Sequence, residues 1–232
     1  QGLIPYQVRT LNSGTLNSGT LNSGTLKQWH AEQEASMHPL EGQVAIVTGA
    51  SRGLGWALAR GFAEAGLKVA ACARDAGGLA DLASVGGIFV RAVDVTDQRA
   101  VAAFVAEVEA EVGPVAALLN NAGVGWYKPF IEHTPEQLRA TFDVNVLGTM
   151  YFCQAVLPPM LARRRGHIIN VASDLARRPL AKMAPYVAAK HAVLGFSQSL
   201  LREVKDQGVK VSTFLPGIMD TFFGGSTPGR EE

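Results

Sequence analysis

Residues 44–55 read VAIVTGASRGLG: a short apolar and β-branched run, Val44 to Thr48, leads straight into Gly49, Ala50, Ser51, Arg52, Gly53, Leu54 and Gly55, and an Ala-rich segment of helical period follows. A strand, a glycine turn and a helix in that order predict a βα unit. Glycine at such a turn lets the backbone take positive φ and come close to a ligand, while the N–H groups and dipole at the helix start attract phosphate. The expectation is a pyrophosphate site, with a tight structural turn as the alternative. The spacing is Gly-x-x-x-Gly-x-Gly, which departs from the GxGxxG dinucleotide fingerprint and points to a different branch of that fold.

Working outward, the same alternation continues. Strands are predicted at Lys68 to Ala73, Ile88 to Val93, Val115 to Asn120, His167 to Val171 and Val209 to Leu215. Helices are predicted at Gly53 to Ala65, Leu79 to Ser84, Asp97 to Val112, Pro135 to Asp143, Val146 to Ala162 and Pro185 to Gln207. Six strands alternating with helices imply an α/β fold, a single Rossmann-like doubly wound parallel sheet with helices on both faces.

Composition agrees with one ordinary core. Of 232 residues, 47% are hydrophobic and 18% charged, which excludes disorder of the whole chain. Lys+Arg 21 against Asp+Glu 20 leaves +1, so no global field favours nucleic acid or an anionic membrane. No apolar stretch is expected to reach the roughly 18 residues that span a bilayer, and no secretory signal is expected. Cys72 and Cys153 lie far apart inside apolar runs and read as small buried hydrophobes, which fits a reducing, cytoplasmic location. His30, His38, His133, His167 and His191 show no metal-ligand spacing, so no metal is expected; His191 reads as packing.

The N-terminus differs in kind. Leu11 to Thr25 is LNSGT written three times, and residues 1–36 read as a low-complexity flexible tail ahead of Met37 and a domain over 37–232. A partner-docking repeat and a translation artefact are the alternatives.

About twenty residues after a glycine turn, a dinucleotide fold places the group that meets the adenine ribose. Here the second strand ends Cys72, Ala73, Arg74, Asp75. Arg74, with Arg52 from the glycine turn, suits a ribose 2′-phosphate, so NADP(H) is expected over NAD(H). A one-residue shift of the strand end would put Asp75 there instead and reverse that preference.

Farther on stand Asn120, Asn121, Ala122 and Gly123 after the fourth strand, Asn145 in a helical region, Ser173 after the fifth strand, and Tyr186 with Lys190. Tyr186 and Lys190, at i and i+4, share one helix face. A nearby ammonium would favour the phenolate and bring a group that titrates near pH 10 closer to neutral use as a proton donor and acceptor.

Together these residues resemble the short-chain dehydrogenase/reductase family in its short single-domain branch, such as members like 3-oxoacyl-carrier-protein reductase. TGASRGLG at 48–55 matches the family's cofactor turn, and Asp94 with Val95 in DVTD matches its adenine-contacting segment. NNAG at 120–123 matches its cofactor-lining motif, and Pro216, Gly217 and Thr221 match the segment that closes over nicotinamide. The resemblance runs from about Leu40 to Thr221. It implies a carbonyl and secondary-alcohol oxidoreductase with a small-molecule substrate. Tyr186 would be its acid and base, Ser173 would bond the substrate oxygen, Lys190 would hold the nicotinamide ribose and favour tyrosinate, and Asn145 would position a relay water.

After Thr221 the sequence reads FFGGSTPGREE, where family members continue with a helix and a seventh strand, so a C-terminally truncated domain is expected, with homo-oligomer contacts in question. The competing readings are a non-catalytic NADP-binding or sensing module, an NAD-dependent dehydrogenase, and a longer-branch epimerase or dehydratase. Arg163 to Arg165 read as cations at a helix end, or as a docking site for an acidic acyl carrier. Arg177 and Arg178 read as solvated charges, or as contacts to an acidic substrate. Trp126 and Tyr127 are divided between core packing and lining the substrate pocket.

Overall fold

Along the first strand every residue is buried, with Val44 and Ile46 in the core on one side of the sheet and Ala45 and Val47 in the core on the other. A strand apolar on both faces has to lie inside a parallel sheet covered by helices on each side. The computed structural model describes residues 41–217. The chain divides into two units, Gln1–Pro39 and Leu40–Glu232, and every described residue belongs to the second. The LNSGT tail, Met37 and Thr221 lie outside the described residues.

The elements follow in order: β1 (Val44–Thr48), α1 (Gly53–Glu64), β2 (Lys68–Ala73), α2 (Ala80–Ala83), β3 (Ile88–Ala92), α3 (Gln98–Glu111), β4 (Val115–Asn120), α4 (Pro135–Phe142), α5 (Gly148–Ala162), β5 (Gly166–Val171), α6 (Ala184–Val204) and β6 (Val209–Phe214). The six strands form one sheet in the order β3-β2-β1-β4-β5-β6, with every neighbouring pair parallel. One apolar layer joins the sheet to α3, α5 and α6 through Phe104, Phe152, Val156, Met160, Leu200 and Val204. The opposite layer joins it to α1 through Ala59, to α2 through Leu82 and to the turn before α2 through Leu79. The chain builds outward from β1 to β3, then returns to place β4 on the other side of β1. That reversal opens a crevice at the C-terminal ends of β1 and β4, where ligands bind in sheets of this type.

The strand expectations hold to within a residue at each end. The helices differ in one respect that matters for the site. Instead of two helices with a break, Pro135–Ala162 is one continuous helical run. Its joint, Asp143–Leu147, is a wider turn in which the Gly148 N–H donates to Asp143 O five residues back. The run is long and apolar enough by composition to cross a membrane, which corrects the expectation that no segment is. Its Asn145, Thr149, Phe152, Cys153, Val156 and Met160 are nevertheless buried in the domain, so it is a core helix here.

Three helix ends are anchored by identifiable contacts. Asp97 caps α3 by accepting from Arg99 N and Ala100 N, and Thr134 with Gln137 forms a reciprocal capping box on α4. After α5, Arg163 forks onto Glu109 at 2.8 and 2.9 Å and also donates to Val115 O, so it ties α5 to α3 and the start of β4. Cys72 and Cys153 are both buried free thiols.

Candidate active site

The crevice between β1 and β4 is narrow because its walls are glycine and alanine. Gly49, at φ +66°, approaches so closely that a Cβ there would stand 2.7 Å from Ala122 Cα. At Gly55, a Cβ would run into Gly49 O and the Asn121 side chain. Thr48 pins the two strand ends together, since its Oγ1 accepts from both Asn121 N and Ala122 N at 3.0 Å. Asn121 Nδ2 returns the connection by donating to Thr48 O at 3.0 Å and Gly49 O at 3.2 Å. The Thr48 clamp was not legible as a site feature, because a threonine ending a strand carries no distinguishing signal. Arg52 stands at the N-cap of α1 in extended conformation, and no side chain caps that helix. Its first-turn N–H groups are therefore left for an anion in the crevice.

The loop after β2 lies against this turn. Gly78 sits on Ser51, where a Cβ would stand 2.6 Å from Ser51 Cβ. Arg74 is the first residue past β2 and is exposed, as is Arg52. Asp75 turns into its own loop and accepts from Gly77 N at 2.9 Å. Asp94 accepts from Thr96 N and Thr96 Oγ1, while buried Val95 packs on Gly148, where any side chain would meet Val95 Cγ2 at 2.8 Å. Pro216 and Gly217 follow β6, and Pro216 O accepts from Asp174 N at 2.9 Å beside Ser173.

Deeper in the crevice the structure brings Asn145, Ser173, Tyr186 and Lys190 together. Asn145 is fully buried in the wide turn before α5; its Nδ2 donates to Thr141 O at 2.7 Å and Val124 O at 2.8 Å. Its Oδ1 has no hydrogen-bond partner among the described residues and stands 2.8 Å from where a Cβ on Gly123 would be, with Lys190 Nζ on the same side at 3.7 Å. Wide turns of this kind recur at functional sites because they re-aim a side chain. Lys190 is buried on α6, donates to Val171 O at 2.8 Å, and holds its Nζ 5.5 Å from the centre of the Tyr186 ring. Tyr186 and Ser173 are hydrogen-bonded, and Ser173 Oγ also accepts from Leu175 N at 3.2 Å.

The electrostatics differ from the sequence expectation. Burial pushes the Tyr186 phenol up to about 12, with the Ser173 bond pulling the other way, and lowers the Lys190 ammonium to about 8. Desolvation outweighs the Ser173 bond, so the phenol in the protein alone holds its proton more tightly than a free tyrosine. His191, read as packing, is exposed instead and bonds Val187 O through Nδ1. Trp126 is half-buried and Tyr127 exposed, so Tyr127 is not core packing.

Beneath the site, Asn120 Nδ2 donates to Asn170 Oδ1 at 2.9 Å, and Asn170 Nδ2 donates to Ser197 Oγ at 2.9 Å. This buried chain ties β4 and β5 to α6, the helix that carries Tyr186 and Lys190.

Comparison with known proteins agrees with this geometry. Residues 43–231 match the family described as short chain dehydrogenase. The chain is 38% identical over 189 residues to 2,3-dihydroxy-2,3-dihydro-p-cumate dehydrogenase of Pseudomonas putida, covering 79% of this chain and 73% of that one. It is 37% identical over 184 residues to 3-oxoacyl-[acyl-carrier-protein] reductase FabG of Vibrio cholerae, covering 78% and 75%. Among solved structures it is similar to a metagenomic short-chain oxidoreductase in complex with NADP, with a TM-score of 0.72 and 38% identity over 78% of this chain and 85% of that one. With the strand order, the crevice at its reversal and these likenesses over most of the chain in agreement, this protein belongs to the short-chain dehydrogenase family of oxidoreductases.

Proposed function

We propose that the chain is an NADP-dependent oxidoreductase that interconverts a carbonyl and a secondary alcohol, with Tyr186 as general acid and base. The observation that carries this reading is the buried group of Tyr186, hydrogen-bonded to Ser173, with the Lys190 ammonium 5.5 Å from its ring. The crevice fits a dinucleotide, because Gly49 and Gly55 leave no room for side chains and the start of α1 is uncapped. Gly49, Ser51, Gly53, Leu54 and Gly55 would hold the pyrophosphate, Asp94 and Val95 the adenine, and Asn121, Ala122, Gly123, Pro216 and Gly217 the nicotinamide end; Thr221 belongs to the same assignment. The nicotinamide supplies or accepts a hydride when bound.

The chain's own residues do the rest. Tyr186, a phenol at neutral pH, donates its proton to the substrate oxygen during carbonyl reduction and takes it back in the other direction. Ser173 donates to the same oxygen and stabilises the charge that develops there. Lys190 would hold the cofactor ribose and, charged below about pH 8, would favour proton release from Tyr186. Asn145 Oδ1, buried and unpartnered among the described residues, accepts a hydrogen bond from a relay water.

For the 2′-phosphate, two exposed guanidiniums, Arg52 and Arg74, border the turn, and the one carboxylate at that strand end, Asp75, is engaged by Gly77 N. A similar solved protein binds NADP. The same reading takes 37–232 as the catalytic domain, a small carbonyl or alcohol as substrate, a homo-oligomer as the assembly, and a reducing, cytoplasmic setting for the two free thiols.

Two variants test it. Nicotinamide fluorescence should show NADPH binding tighter than NADH, with Arg74→Ala removing most of the difference. Tyr186→Phe should bind NADPH nearly as before and lose carbonyl turnover by at least about a thousandfold. An active Phe variant would sink the tyrosine assignment, and a preference for NADH would move the ribose contact to Asp75.

A further inference from the structure

Two loops leave the tetrad and touch each other. Residues 124–133 start beside Gly123, where Val124 O receives Asn145, and residues 174–183 start at Ser173 and lead into Tyr186. The loops meet at Lys182: Lys128 N donates to Lys182 O at 3.0 Å, and Lys182 Nζ lies 5.5 Å from the centre of the Tyr127 ring. Lys182 makes this contact from a left-handed backbone, φ +65°, a conformation that disfavours any residue with a Cβ. Glycine would hold the same backbone without strain, so only the lysine side chain distinguishes the residue present from the one the backbone prefers.

The surroundings indicate what that side chain meets. Among the described residues no carboxylate pairs with Lys182. Tyr127, beside the ammonium, is 58% exposed and Leu180 on the same loop as Lys182 is 48% exposed, so these loops present apolar surface. The two loops carry Lys128, Arg177, Arg178 and Lys182 against Glu132 and Asp174, an excess of positive charge. An ammonium held over an aromatic face keeps its donors for an incoming acceptor, and the ring restricts where that acceptor can stand.

We propose that Lys182 and Tyr127 determine substrate specificity, selecting a carbonyl or alcohol whose apolar body lies on Tyr127 and whose far end is a carboxylate. The proposal rests on the reading of Tyr186 and Ser173 as the reaction centre. In it, Lys182 pairs with the substrate carboxylate while the reacting oxygen sits between Ser173 and Tyr186.

The test compares 4-acetylbenzoate with its methyl ester, by calorimetric titration of the full chain saturated with NADPH and by the rate of NADPH oxidation. Wild type should bind the carboxylate about tenfold tighter than the ester, the size expected of a charge-assisted contact at a partly exposed rim. Lys182→Gly, which keeps the left-handed backbone and should melt no lower than wild type, should bring that ratio to about one, while Lys182→Arg should retain most of it. Equal affinities in wild type, no carboxylate binding, or a ratio that survives Lys182→Gly would each overturn the proposal. An ester that is reduced without any carboxylate preference would overturn it and leave the Tyr186 reading standing. A carboxylate preference that Lys182→Gly removes would support the proposal even where neither compound is reduced, and the Tyr186 reading stands or falls separately on the Phe variant.

Discussion

Replacing Gly49 with alanine perturbs the narrowest point of the crevice, and the structure gives the size of the effect from two independent contributions. Alanine in a left-handed backbone at φ +66° costs about 1 kcal/mol relative to glycine. Its Cβ would also stand 2.7 Å from Ala122 Cα, a backbone atom that can move only with the end of β4. Relieving that contact takes a shift of about 1 Å, and overpacking of this kind costs about 1–3 kcal/mol. The same shift stretches the bonds from Asn121 and Ala122 to Thr48 and Gly49, which set the width of the crevice. The expectation is a loss of about 2–4 kcal/mol in urea unfolding and NADPH binding weakened at least about tenfold. Gly61→Ala is the internal reference: Gly61 lies within α1 with no atom near enough to meet a Cβ, so alanine there should stabilise by about 0.5–1 kcal/mol. A Gly49→Ala protein within about 0.5 kcal/mol of wild type and within twofold in NADPH affinity would refute the close-approach argument.

Three further outcomes follow from the buried groups. Because burial lowers Lys190 to about 8 while the unfolded chain keeps its proton to about 10.5, the cost of burying the charge is fully present below pH 8; stability should therefore rise by about 3 kcal/mol as pH goes from 8 to 10.5. Urea midpoints across that range check it, and Lys190→Met should flatten the rise. Tyr186, raised to about 12, acts in the opposite sense: the unfolded chain releases its proton from about pH 10, so stability should fall between pH 10 and 12, and Tyr186→Phe should lessen the fall. Asn145→Ala leaves Thr141 O and Val124 O without their side-chain donor in a fully buried position and should cost about 2–4 kcal/mol in thermal unfolding, with a smaller loss showing that water replaces the amide.

The central strands were legible because a parallel sheet buried on both faces writes them as apolar runs, as in VAIVT at β1, and Gly49, Asn120 and Pro216 mark the ends of β1, β4 and β6. The glycine turn was legible as a candidate, but the sequence left a tight structural turn open, and the close approach of Gly49 to Ala122 and of Gly55 to Gly49 is what the structure adds. The joint at Asp143–Leu147 was not legible. A wide turn keeps helical composition and shifts the periodicity by a single residue, so the sequence showed a break where the helix continues. The balance of charge at Tyr186 was also hidden. The i, i+4 spacing places an ammonium near the phenol, but how far burial raises the phenol depends on packing from Ser173 and the neighbouring elements, and those come from distant parts of the chain. Lys182 was passed over for the same reason: its left-handed backbone leaves no mark on residue type when the residue is a lysine.

The two shifts at Tyr186 and Lys190 have one cause and bear differently on the two directions of reaction. On the proposed reading, a buried phenol near 12 bonded to a serine keeps its proton across the physiological range and would donate it in carbonyl reduction. In the opposite direction the proposed reaction would need the phenolate, the form that burial disfavours. A further positive charge bound beside the ring would strengthen the phenolate in a medium of low dielectric, where one charge acts over several ångströms. Lys190 itself is charged only below about pH 8, so its support for the phenolate fades at the alkaline pH that otherwise favours proton removal. On the proposed role of Tyr186, the protonated phenol would serve carbonyl reduction directly, and the phenolate that alcohol oxidation needs would gain from positive charge brought in by what the crevice binds.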